Sequence, residues 1–549
     1  MRKVLLGSKP VQTKWGSKRY TRCRMTDTEF IISDGTMKKE AMHQPHMLLR
    51  GIIVCIIASS STQFGCTPNT ATDSESSHHK FKPWNSAPTW DVLEIDGARV
   101  GFQSTQLKRS ASGDTVFLDG RSTSEMALQR FGQSMSERME IACRASASGE
   151  VIRVETRVTS NNNQQHTVGK RSENVLRMET RGTGSPRHWS IPLPESCGGY
   201  FAVEWSLRQK PMKSGEIRQL KLLLPIVNQV AVCELHAQTW QDETSEEPVL
   251  PISQKMNVAN SEITGTIWTN RTGEVVRSEI PSIRQVTYRT NETTARSVLV
   301  QPATFDLATI ATVPIETPIP NPHQSTSLQY RVQVLDGDPV AIFASTKGQV
   351  TTAGNAPHTA DILVHKLRPS PNGTIGTTVP PDSTTQSSAL IQSDNPAVLQ
   401  HVERVNPPSN DPWDIAKAVE QYVYHTISKK NFSTALASAA EVAESLSGDC
   451  TEHAVLTAAI CRALGVPARV LVGLVYVETE QAFVFHMWNE VWVSGRWIPI
   501  DSTLGRGGTG AAHLILTRSD LATEDAFSAF LPLLNVLGRL NIALVPTPP

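Results

Sequence analysis

The chain carries no surplus of charge. Its 549 residues hold 52 basic and 52 acidic side chains, a formal charge of +0. No whole-chain field therefore draws it to nucleic acid. Paired cysteines are missing too. Eight cysteines are scattered with no CxxC spacing, which argues against a zinc site and against a scaffold stapled by disulfides. The apolar run Gly51–Ala58, GIIVCIIA, is too short for a comfortable membrane span. The glycine-rich stretch Gly505–Ala512, GRGGTGAA, lacks the lysine and the spacing of a phosphate loop and reads as a mobile turn. Nothing in the chain calls for a cofactor or a metal. The pair His78–His79 sits in a polar tract that reads as solvated linker.

The length allows two to four domains with cores of their own. Residues 1–47 show no periodicity, whereas Met47 is followed by Arg50 and the short apolar run, which has the form of a secretory signal. The expectation is a start codon placed too early, then a signal segment ending near residue 66. Thr62–Cys66, TQFGC, resembles a bacterial lipoprotein signal. That resemblance implies lipid on Cys66 and an exported chain held at the membrane. A plain signal peptide or a single N-terminal anchor are the alternatives, and all three export the chain. Residues 67–89 read as a polar tether. Residues 90–350 read as β-rich, with short alternating runs such as Ile217–Leu222 and a strand–turn–strand at Ile267–Val276. Cys143, Cys197 and Cys233 lie in or near these runs and read as bridged or as buried thiols. Residues 351–409, rich in Ser, Thr, Pro and Gly, read as a linker. Residues 410–549 carry the chemistry.

That last region turns on SGDCTEHAVLTAAICRALGVPARV, Ser447 to Val470. A glycine turn meets a cysteine, and Val455, Leu456, Ala459, Ile460 and Leu464 follow at helical spacing until Gly465 and Pro467 stop the helix. Cys450 thus begins a buried helix, where unpaired N–H groups and the helix dipole stabilise a thiolate and an oxyanion beside it. Cys461, deeper in the apolar run, reads as structural. Downstream, VFHMWNEVWV places His486 in one strand. RWIPIDST places Asp501 at the end of the next, with Ser494–Gly495 as the hairpin turn. Strand, turn and strand set His486 beside Asp501. A thiol, an imidazole and a carboxylate that fixes its tautomer make an activated nucleophile.

GDCTEHA, RALGVPARV and FHMWNEVWVSGRWIPID together resemble the transglutaminase-like superfamily of Cys-His-Asp enzymes and proteases. The resemblance covers about Pro412 to Leu516. It implies an α+β fold, papain-like, with the nucleophile helix against an antiparallel sheet. By it Cys450 is the nucleophile, His486 the base and Asp501 the orienting acid, with no cofactor. His453 and Glu452 are expected to support the helix, Arg469 to pair with a carboxylate, and Trp488, Trp492 and Trp497 to be aromatic core. The Cys450 N–H is one oxyanion donor, and a second is expected from a side chain between about Asn431 and Ser447. The reaction implied is amide acyl transfer through a thioester, with hydrolysis of a peptide or protein of the cell envelope preferred. Glutamine crosslinking is the first alternative and a non-catalytic binding or scaffolding module the second.

Overall fold

The computed structural model describes residues 87–545 except 131–132, 161–162, 182–185, 243–246, 259–260, 301–304, 307–310, 336, 370–378, 429–436 and 523–525. The signal-like run, Cys66 and most of the tether fall outside the described residues. Among the described residues no helix is long and apolar enough to cross a membrane.

Fifteen strands between Thr89 and Thr290 form one large sheet. Alternation builds it. Along Val175–Arg181, VLRMETR, the side chains of Leu176, Met178 and Thr180 are buried while Arg177 and Arg181 are exposed. Tight turns set the register. Asp96 and Gly97, at φ 52° and 77°, join strands in which Ile95 faces Ala98, the left-handed pair that a two-residue hairpin needs. A bridge from Gly198, in the short edge strand, to Glu150 ties that edge back to a strand from the other half of the sheet. Cys143, Cys197 and Cys233 are free and buried; burial pushes the Cys143 thiol up to about 12.

The remaining strands form two smaller sheets. The central sheet runs Thr312–Pro314, Ala482–Val493, Ala468–Val477, His513–Ser519, with Arg496–Ile500 also paired to Ala482–Val493. The outer sheet runs Gln349–Ala353, Thr359–His365, Ser327–Val334, Leu540–Val545. The β-rich stretch expected at 90–350 is therefore shared among three sheets. Strands Gln349–Ala353 and Thr359–His365 and helix Pro396–Val402 lie partly or wholly in the tract expected as linker. Its Ser/Thr-rich composition hid the strands, because pairing with each other and with Ser327–Val334, not local propensity, orders them.

Helices cover the central sheet, giving an α+β architecture with the β-rich region N-terminal to the helix–sheet region. Asp411 caps helix Pro412–Thr426 by accepting from the N–H groups of Trp413 and Asp414. Ser438 and Glu441 close a capping box on Ala439–Ser445. Helix Cys450–Ala463 is buried from Cys450 to Arg462, so it has no solvent face and packs between the other helices and the strands Ala468–Val477 and Ala482–Val493.

Candidate active site

The start of the Cys450 helix is built by its own sequence. Asp449 is the N-cap, its carboxylate accepting from Thr451 N. Glu452 reaches back, with Oε2 accepting from Asp449 N and Oε1 from Ala437 N, both at 3.1 Å. One buried carboxylate thus fastens the turn before Cys450 to the preceding helix. Gly448 sits at φ 150°, and a Cβ there would lie 2.3 Å from Cβ of Glu452, so the approach requires glycine. His453 bonds the carbonyl of Asp449 through Nδ1. His453 and Glu452 therefore support the helix. Cys450, fully buried, is its first residue.

His486 lies at a break in strand pairing. Along one edge of Ala482–Val493, Thr312–Pro314 pairs with Ala482–Val484 and Arg496–Ile500 pairs with Asn489–Val493. Phe485 to Trp488 lie between the two partners. The hairpin turn Ser494–Gly495, at φ 50° and 74°, fixes the register that sets Ile500 opposite Asn489. Asp501 then leaves the ladder beside that break, and His486 Nε2 donates to Asp501 Oδ2 at 2.8 Å. With the proton on Nε2, the lone pair is on Nδ1. That atom is buried and has no hydrogen-bond partner among the described residues. Trp488 stacks on the imidazole, centroids 5.7 Å apart and planes 14° apart.

Asp501 is held on every side. Its Oδ1 accepts from Thr503 N at 2.9 Å and its own N–H donates to Glu420 Oε1 at 3.1 Å. A second imidazole, His513, donates from Nε2 to the same Oδ2 at 3.1 Å. Burial opposes the Asp501 charge, but His486 and His513 outweigh it and hold the carboxyl well below its usual range. Burial lowers the His513 pKa against the pull of Asp501. Glu420, buried in helix Pro412–Thr426, also accepts from Gly508 N, and burial lifts its pKa to about 7. The glycine stretch expected as a mobile turn is thereby fastened to that helix.

The helix is bonded to both sides of the His486–Asp501 pair. Asn489 Nδ2 donates to the carbonyl of Ala454 at 2.9 Å, and Ser502 Oγ donates to the carbonyl of His453 at 3.3 Å. These bonds fall on the first turn after Cys450. His486 and Asp501 are thus brought together, with Cys450 at the head of the helix that both their strands grip. Arg469 pairs with Glu490 at 2.5 Å, as expected. Trp488 is core, whereas Trp492 and Trp497 are half-buried and line a cavity. The interval expected to hold the second oxyanion donor lies partly outside the described residues.

His513 and Glu420 escaped the sequence reading. A lone histidine in the apolar run AAHLIL and a lone acid on the Val419–Val423 face were their only signals. Among the described residues, His486, Asp501 and His513 are the group whose ligand atoms, all within 4.8 Å of one another, could hold a metal ion. Both Nε2 atoms already bond the shared carboxylate oxygen.

Residues 400–502 match the model of the transglutaminase-like superfamily, a class of cysteine-dependent amide-processing proteins. No curated protein sequence matches. Several solved structures, among them these three, show loose similarity. A candidate cysteine protease from Cytophaga hutchinsonii shares 16% identity over 40% of this chain and 81% of its own, TM-score 0.25. A β-barrel-like protein of domain of unknown function DUF1849 from Brucella abortus shares 8% over 37% and 95%, TM-score 0.28. The periplasmic domain of TgpA from Pseudomonas aeruginosa, bound to ethylmercury, shares 14% over 33% and 91%, TM-score 0.20. Superpositions this loose are too weak to support a functional reading.

Proposed function

We propose that the chain is a thiol-dependent amide hydrolase in which Cys450 is the nucleophile, His486 the general base and acid, and Asp501 the group that orients the imidazole. The observation that carries this is the His486–Asp501 pair, with a buried, unpartnered Nδ1, on strands bonded to the helix that Cys450 begins. His486 Nδ1 takes the thiol proton and the sulfur attacks the amide carbonyl. The Cys450 N–H, at the helix start, donates to the developing oxyanion. Collapse expels the amine, which receives the proton from His486, and leaves a thioester. Water then gives a proton to His486 and attacks the thioester, releasing a carboxylic acid and restoring the thiol. Throughout, Asp501 keeps Nε2 protonated and stabilises the imidazolium.

The expected substrates are peptide or protein amides of the cell envelope, reached by an exported chain anchored through lipid on Cys66. Mass analysis of the mature N-terminus tests the anchor. Diacylglycerol on Cys66 supports it, cleavage without lipid removes the anchor and keeps export, and a cytosolic chain beginning at Met1 removes both. For the chemistry, purified protein and its Cys450→Ala variant are incubated with a peptide library, with and without a primary amine, and products followed by mass. Free carboxylates that depend on Cys450 are the expected result. Predominant amine incorporation installs the crosslinking reaction instead. Equal turnover by a folded Cys450→Ala variant, or failure of the wild-type thiol to react with a thiol-directed probe, removes the nucleophile.

A further inference from the structure

We propose that the cavity lined by Trp488 and His513 binds an acidic residue of a peptide chain, an inference that rests on the amidase reading for the nature of its occupant. The cavity, about 350 Å³, lies between the central sheet and the outer-sheet segments around Lys347 and Leu367, a volume suited to one or two amino-acid residues. Three observations define what it would take.

The first is a pair of buried polar atoms without hydrogen-bond partners among the described residues. Trp488 Nε1 and His513 Nδ1 both belong to lining residues, 1% and 4% exposed. Their rings meet edge to face with centroids 5.1 Å apart. The indole N–H can only donate. His513 gives its Nε2 proton to Asp501, so its Nδ1 can only accept. Leaving either buried without a partner costs about 1–3 kcal/mol, so the wall carries one donor and one acceptor that a polar occupant reaching them would satisfy.

The second is charge. Lys347, Arg469, Arg496 and Arg518 line the cavity against the single carboxylate of Glu490. Arg469 is already paired with Glu490 and lies 4.0 Å over the ring of Trp497. Lys347 and Arg496 stand in no ion pair among the described residues, and the Arg518 charge also acts on Glu490. Cations at the edge of a half-dry, aromatic-walled space select a carboxylate. The third is connection. His513, a lining residue, also bonds Asp501, so the cavity wall is one imidazole away from the carboxylate that bonds His486.

The test separates binding from turnover by using the full-length Cys450→Ala protein. Blocked pentapeptide amides are offered as an equimolar library with the central residue fixed as Glu, Gln or Lys and the other positions varied. Retention at low ionic strength is read by mass spectrometry. Glu-centred peptides are expected at least fivefold above their Gln isosteres, with Lys-centred ones depleted. In a thermally verified Arg496→Gln/Arg518→Gln background the preference should fall below twofold. Equal retention of Glu and Gln peptides overturns the proposal, and so does a preference that survives both charge removals. Either failure leaves the thiol chemistry standing, because no turnover is measured. Failure of Cys450 to react with a thiol probe leaves this binding result standing.

Discussion

Two imidazoles on one carboxylate oxygen give Asp501 more work than an orienting acid ordinarily has. Its Oδ2 receives His486 and His513 together, and each ring is thereby fixed as the Nε2–H tautomer. Asp501→Asn presents a face that can donate, which moves the His486 proton to Nδ1 and, on the proposed mechanism, removes the base. Turnover should drop by about 10²–10⁴ with little change in KM; a loss below tenfold would contradict the assignment. Glu420 behaves differently. Its pKa in the fold, about 7, lies above its ordinary 4.5 because of burial. A raised carboxyl contributes its full stability below the unfolded value and loses it as pH climbs through the folded one. Wild-type stability should therefore fall by about 3 kcal/mol between pH 4.5 and 7.5 on account of this group. Glu420→Gln should flatten that part of the profile in urea titrations, and parallel profiles for the two proteins would refute it. Cys450, His486 and Asp501 were legible because each sits in a local pattern of cap, strand or hairpin. His513 and Glu420 were not, because their partners come from elements far apart in the chain.

At the scale of the element, turn chemistry decides where the side chains go. Helix Cys450–Ala463 and strand Ala468–Val477 are where the apolar period and the Gly465–Pro467 stop put them, since both are almost wholly buried and strongly patterned. The cap is less forgiving than the helix body. Gly448→Ala would drive a methyl into Glu452, displacing the carboxylate that holds Asp449 N and Ala437 N. The expected cost is about 2–4 kcal/mol, with activity lost beyond what the lowered midpoint explains, because Cys450 moves with the cap. A variant of unchanged melting temperature and turnover would show the contact to be soft. Gly495→Val, at φ 74°, strains the turn that sets Ile500 opposite Asn489 and should cost about 1–2 kcal/mol; denaturant midpoints measure it. What composition could not reveal was the pairing of Thr359–His365, whose order comes from strands on both of its sides.

Across the whole molecule, the strands and the family match divide the chain differently. The superfamily match spans 400–502, yet the sheets that carry the site draw on residues from Thr312 to Val545. Thr312–Pro314 pairs beside His486. Ser327–Val334 pairs with the C-terminal strand Leu540–Val545, and the buried Tyr330 hydroxyl donates to Ala511 O at 3.0 Å. Gln349 exchanges two 2.7 Å bonds with the backbone of Ile515, two residues from His513. A chain cut to 410–549 loses all of these. It would leave Leu540–Val545 without a partner strand and expose one edge of the central sheet, a combination that favours aggregation. We expect 410–549 to show no cooperative thermal transition and 311–549 to show one. The longer piece should still melt below the full chain, because Leu531, buried and lining a cavity with Met256 and Ile280 of the large sheet, would be uncovered. Calorimetry of the three proteins at equal concentration decides it. Equal, cooperative midpoints for 410–549 and 311–549 would mean that the outer sheet is an accessory to the site and not part of its frame.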